Sequence, residues 1–316
     1  MNSYLKIKDI IKPKRLKKGD TVSIISPASP ISREKLEKGI SYLENLGYNV
    51  RPGKHIYAQK GYLSGIDEER VSDLHELFCD NDVKAIFCSR GGYGSIRILD
   101  LVDYELIRRN PKIFIGYSDI TAIEVSMLAK TGLVTFYGPM IVPDSDNEMD
   151  LSAFDFLFKI ITSQSSFYKI DISSQNVVKK GNSKGILIGG CLSVFSSLLG
   201  TDYMPDLEGA IIFFEDIDEE PYRIDKYLNQ LRLCGLFDNA SGFVFGRFVN
   251  CESRQENYEG PTVDDVINEI MSGVKVPVIK NIDFGHIKGK LTIPMGIKAT
   301  IDTDKLYISF DENAVI

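Results

Sequence analysis

KIFIGYSDITAIEVSMLAK, residues 112–130, decides the fold of this chain. The apolar residues 113–115 predict a buried strand, Gly116 ends it, and apolar residues at helical spacing then predict an amphipathic helix. Ser118 lies at the turn between the two. There it fits a nucleophile lifted clear of the backbone, and it equally fits an N-cap serine. The G-x-S-x-G elbow does not match, because Ile120 stands where that motif has its second glycine.

Strand-like and helix-like segments alternate around this stretch. Strands are predicted at residues 21–26, 48–51, 83–88 and 133–136, and helices at residues 34–46, 67–79 and 95–108. Repeated βαβ units imply an α/β fold with a doubly wound, mostly parallel sheet of the flavodoxin or Rossmann kind. Ligands of such sheets bind beyond the carboxyl ends of the strands, where Ser118 and the RGGYG loop, residues 90–94, both fall.

The pattern changes after residue 165. Residues 166–180 are interpreted as a linker between an N-terminal domain of residues 1–165 and a C-terminal domain of residues 181–316. The second domain alternates strands and helices at residues 185–188, 192–199, 210–214, 222–234, 242–245 and 263–271. Short strands then follow at residues 277–282, 290–293, 298–301 and 306–310. We expect a smaller C-terminal α/β domain with a β-rich end.

Composition and charge argue against several classes of protein. The 316 residues carry a formal net charge of −7, and no apolar stretch approaches the length of a membrane span. The N-terminal residues show no signal-peptide pattern. Because the net charge is negative and no apolar span is found, neither nucleic acid nor a membrane is an expected partner. Five scattered cysteines suit reduced thiols in a cytoplasm, and three histidines make a His-rich metal site unexpected.

An activated serine needs a base, a group that orients the base, and donors for an oxyanion. His286 lies between an apolar strand and a glycine-containing loop and is the candidate base, with a structural loop histidine as the alternative. His55 and His75 are expected at surface or packing positions. Glu215 follows the predicted strand 210–214 and is the candidate orienting carboxylate. A solvated acidic turn and a hard-cation site are its alternatives.

Backbone N–H groups are the candidate oxyanion donors. The RGGYG loop ends the predicted strand 83–88 with unhindered N–H groups, and the N–H of Asp119 directly follows Ser118. A phosphate- or dinucleotide-binding loop is the alternative, although the segment lacks the full G-x-G-x-x-G spacing and a GK[ST] sequence.

Taken in order, nine segments resemble the LD-carboxypeptidase family, serine peptidase S66, which also contains the microcin C self-immunity peptidases. They are GDTVSIISPASP (19–30), LSGIDEERVSDL (63–74), AIFCSRGGYGSIRILD (85–100), IGYSDITAI (115–123), TFYGPM (135–140), GILIGGCLSVFSSLLGT (185–201), FFEDIDEEPYRIDKYL (213–228), FGRF (245–248) and DFGHIKGKLTIPMG (283–296). The resemblance covers about residues 16–301, which is nearly the whole chain.

The resemblance implies a hydrolase whose catalytic triad is completed across two domains. Its nucleophile falls on Ser118, its glutamate on Glu215 and its histidine on His286. Its oxyanion donors fall on the backbone N–H groups of Gly92 and Asp119. No cofactor and no metal are expected.

Family members that are LD-carboxypeptidases remove the terminal D-alanine from cytoplasmic murein tetrapeptides during peptidoglycan recycling. A small peptide substrate, a cytoplasmic location and a homodimer are therefore expected for this chain. Arg90, Gly91 and Tyr93 are expected to contact the substrate. Arg90, Arg223 and Arg247 are unranked candidates for binding its terminal carboxylate.

Two departures from the family pattern keep alternatives open. Cys191 stands where the family has the asparagine of a Gly-Gly-Asn run, and DFGH resembles the microcin branch as much as the carboxypeptidases. A microcin-type peptidase cleaving an amide between a peptidyl or aspartyl group and a modified nucleotide is therefore the main alternative. A non-catalytic peptide-binding relative and a nucleotide-binding α/β protein are the others.

Overall fold

The computed structural model describes residues 6–7, 9–141, 149–163 and 168–316. The first part of the chain alternates β1 (Thr21–Ile25), α1 (Arg33–Asn45), β2 (Asn49–Pro52), α2 (Asp67–Cys79), β3 (Val83–Cys88), α3 (Tyr104–Arg109), β4 (Ile113–Gly116), α4 (Thr121–Thr131) and β5 (Thr135–Tyr137). Short 3₁₀ turns at Ser95–Ile98 and Ser118–Ile120 precede α3 and α4.

The remaining elements begin with a helix and then build a second sheet. They are α5 (Leu151–Thr162), β6 (Tyr168–Asp171), β7 (Val177–Lys179), β8 (Asn182–Cys191), α6 (Leu192–Ser197), β9 (Ile211–Ile217), α7 (Pro221–Leu233), β10 (Gly242–Val249), α8 (Val263–Ser272), β11 (Val278–Ile279), β12 (Ile293–Met295), β13 (Lys298–Asp302) and β14 (Tyr307–Phe310).

The first sheet has the strand order β2-β1-β3-β4-β5-β12. Its first five strands are parallel in the flavodoxin-like order, and β12 pairs antiparallel to β5. Every residue of β4 is buried, as expected for a parallel sheet covered on both faces. The predicted doubly wound, mostly parallel sheet is confirmed.

The second sheet has the strand order β6-β14-β13-β8-β9-β10-β11-β7. Strands β8 to β11 are parallel, while the strands at both sides pair antiparallel. The predicted α/β unit with a β-rich end is confirmed. The predicted linker 166–180 contributes β6 and β7 to this sheet, and β12 returns to the first sheet, so the domain boundaries at 165 and 181 stay predictions.

Several predicted elements need correction. The helix expected at residues 95–108 is two pieces, because Asp103 starts α3 afresh by accepting a hydrogen bond from the N–H of Leu106 at 2.9 Å. The strand expected at residues 290–293 lies at Ile293–Met295. Glu215 lies inside β9 and not after it.

Helix α4 is buried on all sides and is not amphipathic as predicted. All its residues except Lys130 are buried, since α6 and β8 of the second half pack against it. The Thr121 hydroxyl at its start donates to the carbonyl of Ser118 at 2.6 Å and accepts from the N–H of Cys191 at 3.0 Å. The turn that carries Ser118 is therefore bonded directly to the end of β8.

Candidate active site

A cleft of about 190 Å³ opens beyond the carboxyl ends of β1, β3 and β4. This is the side of a parallel sheet at which ligands bind. The residues that line it include Lys35, Arg90, Gly91, Gly92, Ser118 and His286. Three segments flagged in the sequence, the RGGYG loop, the turn after β4 and the GHIKG loop, therefore meet at one place.

Ser118 occupies a sharp turn between β4 and α4. Its φ of 64° lies in the left-handed region, which residues other than glycine adopt infrequently. Helix α4 has Ile120 as its N-cap and no side-chain cap, and the Ser118 hydroxyl makes no hydrogen bond to the described residues. The N-cap interpretation is therefore wrong, and the hydroxyl lies in the cleft.

His286 is held by a fully buried carboxylate. Its Nδ1 lies 2.8 Å from Oε2 of Glu215, and its backbone N–H donates to the same oxygen at 3.2 Å. Because a carboxylate can only accept, the bond to Glu215 places the proton on Nδ1 and leaves Nε2 as the basic nitrogen of the neutral ring. No hydrogen bond joins His286 to Ser118 among the described atoms, as is common before a substrate binds.

Gly285 makes the close approach of His286 to Glu215 possible. Its φ is +103°, and a Cβ at this position would lie less than 3 Å from three atoms of the Glu215 side chain. Only a residue without a side chain fits this space in this conformation. The glycine before His286 is therefore required by the geometry of the pair.

The second oxygen of Glu215 binds a residue that the sequence did not single out. The hydroxyl of Tyr137 donates to Oε1 of Glu215 at 2.5 Å and accepts the backbone N–H of Ser118 at 3.2 Å. Burial, reinforced by the charge of Glu215, raises the pKa of Tyr137 well above its usual range. Its position at the end of β5, beside the other strand ends, is the signal that would have revealed it.

The candidate oxyanion donors lie on the side of the cleft formed by the RGGYG loop. A Cβ on Gly91 would lie 3.0 Å from Cβ and 3.1 Å from Oγ of Ser118, so the loop passes directly over the serine. The backbone N–H groups of Gly92 and Asp119 have no acceptor in the described turns and loops. Such unpaired N–H groups beside a nucleophile suit the binding of a developing oxyanion.

The Asp119 side chain fastens the RGGYG loop to the nucleophile turn. Its carboxylate accepts the N–H of Ser95 at 2.8 Å, and the Ser95 hydroxyl donates to the Asp119 carbonyl. Burial raises the pKa of the Asp119 carboxyl group. The side chain of Asp119 therefore positions the loop, while its backbone nitrogen lies 3.3 Å from a Cβ built on Gly91 of that loop.

The structure separates the arginine candidates. Arg90 lines the cleft, and Lys35, which the sequence did not suggest, lies beside it at the start of α1. Arg223 pairs with Glu219 at 3.4 Å and Arg247 with Asp283 at 2.7 Å, and neither lines the cleft.

Tyr93 behaves differently from the rest of the loop. Its ring packs edge-on against Tyr62 with centroids 5.6 Å apart, and its N–H donates to the Ser29 hydroxyl at 3.1 Å. The ring is not among the residues that line the cleft. Its expected contact with substrate stays a prediction.

The other histidines lie away from the cleft. His55 forms a second histidine–carboxylate pair, with Nδ1 2.8 Å from Oδ1 of the buried Asp73. Nε2 of His75 accepts the N–H of Asp103 at 2.8 Å, and burial lowers the pKa of His75. In the described ranges no three His, Cys, Asp or Glu side chains are grouped as metal ligands would be.

Comparison with known proteins identifies the family. The profile of the LD-carboxypeptidase N-terminal domain matches residues 22–138, and that of the C-terminal domain matches residues 184–301. This chain belongs to the LD-carboxypeptidase family, peptidase S66. This LD-carboxypeptidase family member is therefore a hydrolase of the serine peptidase type.

Relatives cover nearly the full length of the chain. The probable murein peptide carboxypeptidase of Bacillus subtilis is 40% identical over 293 residues, which are 92% of each protein. A solved structure of the microcin C7 self-immunity protein MccF has a TM-score of 0.88 at 28% identity, with 97% of this family member and 100% of that chain covered. The muramoyltetrapeptide carboxypeptidase of Oxalobacter formigenes has a TM-score of 0.82 at 29% identity, with 92% and 97% covered.

No helix within the described residues of this LD-carboxypeptidase family member is both long and apolar enough to pass through a bilayer.

Proposed function

We propose that this enzyme hydrolyses the L,D-peptide bond to the terminal D-alanine of murein tetrapeptides, with Ser118, His286 and Glu215 as its catalytic triad. One observation carries the proposal: a histidine paired with a buried carboxylate lines the same cleft as a serine whose hydroxyl does not cap a helix. The names of the relatives from Bacillus subtilis and Oxalobacter formigenes support the substrate class.

The triad acts by the chemistry of serine hydrolases. His286 Nε2 takes the hydroxyl proton as Ser118 Oγ attacks the scissile carbonyl carbon. Glu215 holds the imidazole in the Nδ1–H tautomer and stabilises the imidazolium that forms. His286 then gives the proton to the leaving amine of D-alanine and the C–N bond breaks. In the second half of the reaction His286 takes a proton from the attacking water and returns it to Ser118 Oγ as the acyl-enzyme is hydrolysed.

The tetrahedral intermediate carries its negative charge on the former carbonyl oxygen. The N–H groups of Gly92 and Asp119 are the donors for that oxygen, because Gly92 lines the cleft together with Ser118, Asp119 directly follows Ser118, and neither N–H has an acceptor in the described loops. Loss of one such donor typically costs about 10²–10³ in kcat.

A carboxypeptidase must also bind the free carboxylate at the end of its substrate. Arg90 and Lys35 line the cleft, and neither has a carboxylate partner within the described residues. Arginine in particular can bind a carboxylate through two parallel hydrogen bonds. We therefore assign the terminal D-alanine carboxylate to Arg90 and Lys35.

The microcin-type peptidase is the second candidate. Solved structures of MccF include a complex with aspartyl sulfamoyl adenosine, and the TM-score to that complex is 0.87. The same triad chemistry would serve an aspartyl–nucleotide amide. The two candidates therefore differ in substrate, and an assay must include both.

Mass spectrometry of the products tests the proposal. The purified enzyme is incubated with L-Ala-γ-D-Glu-L-Lys-D-Ala, with its meso-diaminopimelate counterpart, and with an aspartyl-adenylate amide analogue. Release of D-alanine supports the carboxypeptidase. Cleavage of the nucleotide amide alone supports the microcin-type peptidase, and no cleavage of any of them contradicts both.

Two variants test the triad in the same assay. Ser118→Ala and His286→Asn are each expected to lower kcat by about 10⁴–10⁶, because triad members act as a unit. His55→Asn is the matched control, since it breaks a histidine–carboxylate pair of the same length outside the cleft. Retained turnover in Ser118→Ala would contradict the triad, as would equal losses in the two histidine variants.

The assembly and the location of the enzyme are proposals too. We propose a cytoplasmic homodimer with an N-terminal domain of residues 1–165 and a C-terminal domain of residues 181–316, as the family resemblance implies. Light scattering should give about twice the chain mass of 35.4 kDa. A mass equal to one chain would contradict the dimer.

A further inference from the structure

Tyr137 lies between Ser118 and the Glu215–His286 pair of the proposed triad. The hydroxyl donates to Oε1 of Glu215 at 2.5 Å and accepts the backbone N–H of Ser118 at 3.2 Å. Oε2 of the same carboxylate is bound by His286. One phenol oxygen therefore touches both the peptide unit of the nucleophile and the carboxylate that orients the base.

The ring of Tyr137 is held tightly in place. It is 1% exposed and packs edge-on against Tyr117 and Phe213, with centroid distances of 6.1 and 5.6 Å. Its backbone pairs with Gly116 of β4 on one side and with Ile293 of β12 on the other. A side chain so confined can fix the positions of the groups it binds.

The direction of the two hydrogen bonds follows from protonation. Burial and the charge of Glu215 raise the pKa of Tyr137 well above its usual range, so the phenol keeps its proton. A carboxylate can only accept, hence the O–H points at Glu215 and an oxygen lone pair remains for the N–H of Ser118. The Tyr137 hydroxyl therefore donates to Glu215 and accepts from Ser118, and not the reverse.

We propose that Tyr137 is a positioning residue that couples the turn of the nucleophile to the triad carboxylate. The hydrogen bond to the N–H of Ser118 stabilises a residue whose φ of 64° is unfavourable for serine. The bond to Glu215 fixes the plane of the carboxylate with Oε2 towards His286 and withdraws part of its negative charge. This inference rests on the proposed triad and does not depend on the peptide that the enzyme cleaves.

Several titratable groups surround the Tyr137 hydroxyl. Glu215 on β9, Cys191 at the end of β8 and Tyr117 after β4 lie next to Tyr137. His286 and Asp216 in turn lie next to Glu215, and Lys290 lies next to Tyr117. Glu215 is hydrogen-bonded both to the Tyr137 hydroxyl and to the imidazole, whereas Tyr117 contacts both rings by packing alone. Loss of the phenol proton donor leaves more negative charge on Glu215, which stabilises the imidazolium form of His286.

The variant Tyr137→Phe removes the hydroxyl and keeps the ring. We expect kcat to fall by about 10- to 100-fold with KM within about twofold, because transition-state geometry is lost and binding is not. We also expect the acid limb of the kcat/KM profile to move to higher pH, since the imidazolium is stabilised. Tyr104→Phe is the matched control, because its hydroxyl donates to the carbonyl of Leu99, outside the cleft, at 3.0 Å.

A fall in kcat with an unmoved acid limb overturns the coupling, because a purely structural loss would give that result. Wild-type kcat in Tyr137→Phe overturns it too. Thermal melting of both tyrosine variants shows whether each is folded, and Tyr104→Phe should match the wild type in kcat and in its pH profile.

The rate at which a fluorophosphonate labels Ser118 separates this inference from the proposed substrate. Labelling requires the nucleophile and its base and needs no peptide. If the wild type is labelled but releases no D-alanine, the substrate assignment fails, while slower labelling of Tyr137→Phe still supports the coupling. Equal labelling of Tyr137→Phe and wild type overturns the coupling alone, and no labelling of the wild type overturns the triad together with the coupling.

Discussion

Gly285→Ala isolates the contact between the GHIKG loop and Glu215. The new Cβ would lie less than 3 Å from three side-chain atoms of Glu215, including Oε2, which binds His286. The carboxylate must retreat by about 1 Å to restore ordinary contact distances, and this stretches the 2.8 Å bond to Nδ1 beyond hydrogen-bonding range.

The size of the effect can be bounded from both sides. A misplacement of about 1 Å in a catalytic group can cost about 10²-fold in rate. Complete loss of the acid that orients the histidine costs about 10⁴-fold in the serine protease triad. We therefore expect kcat/KM of Gly285→Ala to fall by about 10²–10⁴, which corresponds to about 3–5 kcal/mol of transition-state stabilisation.

Gly200→Ala is the matched control. Gly200 has a φ of +79°, similar in kind to the +103° of Gly285, but no atom of the described residues lies within 4 Å of a Cβ built on it. Both variants therefore carry the cost of placing alanine in the left-handed region, about 1–2 kcal/mol of folding free energy. Only Gly285→Ala adds the collision with Glu215.

Continuous assay of D-alanine release, with urea unfolding of both variants, gives the two quantities. Gly200→Ala should lose stability and keep its kcat/KM, whereas Gly285→Ala should lose both. If both are folded and their kcat/KM values agree within about threefold, the collision does not matter and our account of the Glu215–His286 contact is refuted.

Further predictions concern the two sides of the cleft and a buried acid. Gly91→Ala should lower kcat at least about tenfold, because its Cβ would lie 3.1 Å from Oγ of Ser118; an unchanged kcat would mean that the loop yields freely. Arg90→Met and Lys35→Met should each raise KM for the tetrapeptide about tenfold or more in steady-state kinetics. With a tetrapeptide whose terminal carboxylate is an amide, the KM values of the variants and the wild type should agree. Burial and the charge of Glu215 raise the pKa of Asp216 to about 6 from its ordinary 3.8. The folded state thus keeps a proton that the unfolded state has lost between these values, so the free energy of unfolding should fall by about 3 kcal/mol as pH rises through that window, and Asp216→Asn should lack this slope in urea titrations.

The regular part of the fold could be predicted from the sequence because its signals are local. The helix Asp67–Cys79 and the strand Val83–Cys88 were predicted at their observed bounds, since their apolar periodicity is uninterrupted and turn residues flank them. The helix predicted at residues 95–108 failed because a single capping side chain, Asp103, redirects the chain. Apolar periodicity does not reveal a cap within an otherwise helical pattern.

The strands of the second sheet show where local signals end. Strands β6 and β7 are four and three residues long, and they pair with β14 and β11, far away in the chain. A short edge strand owes its stability to its partner more than to its own composition, so the polar segment 166–180 indicated a linker. The sequence analysis also predicts no helix at α5, which begins after its N-cap Asp150 and precedes this segment.

The candidate site was accessible to sequence reasoning only in part. Ser118, Glu215 and His286 each adjoin a strand and a turn in the sequence, and the family resemblance joined them. Lys35 carries no such signal, because a lysine in a helix is an ordinary residue, and Tyr137 carries only its position at the end of a strand. Their roles depend on register and packing, which bring β5 beside β9 and α1 beside the RGGYG loop.

Strand β12 has a consequence for how this polypeptide can be divided. The chain leaves the second sheet after β11, carries His286 across the cleft, and ends the crossing as the edge strand of the first sheet, paired with β5 at Ile293 and Tyr137. A fragment made of residues 1–165 alone would present β5 as an open edge, free to pair with the same strand of another copy. The two halves are therefore not interchangeable modules, and separately produced fragments should assemble with each other or aggregate.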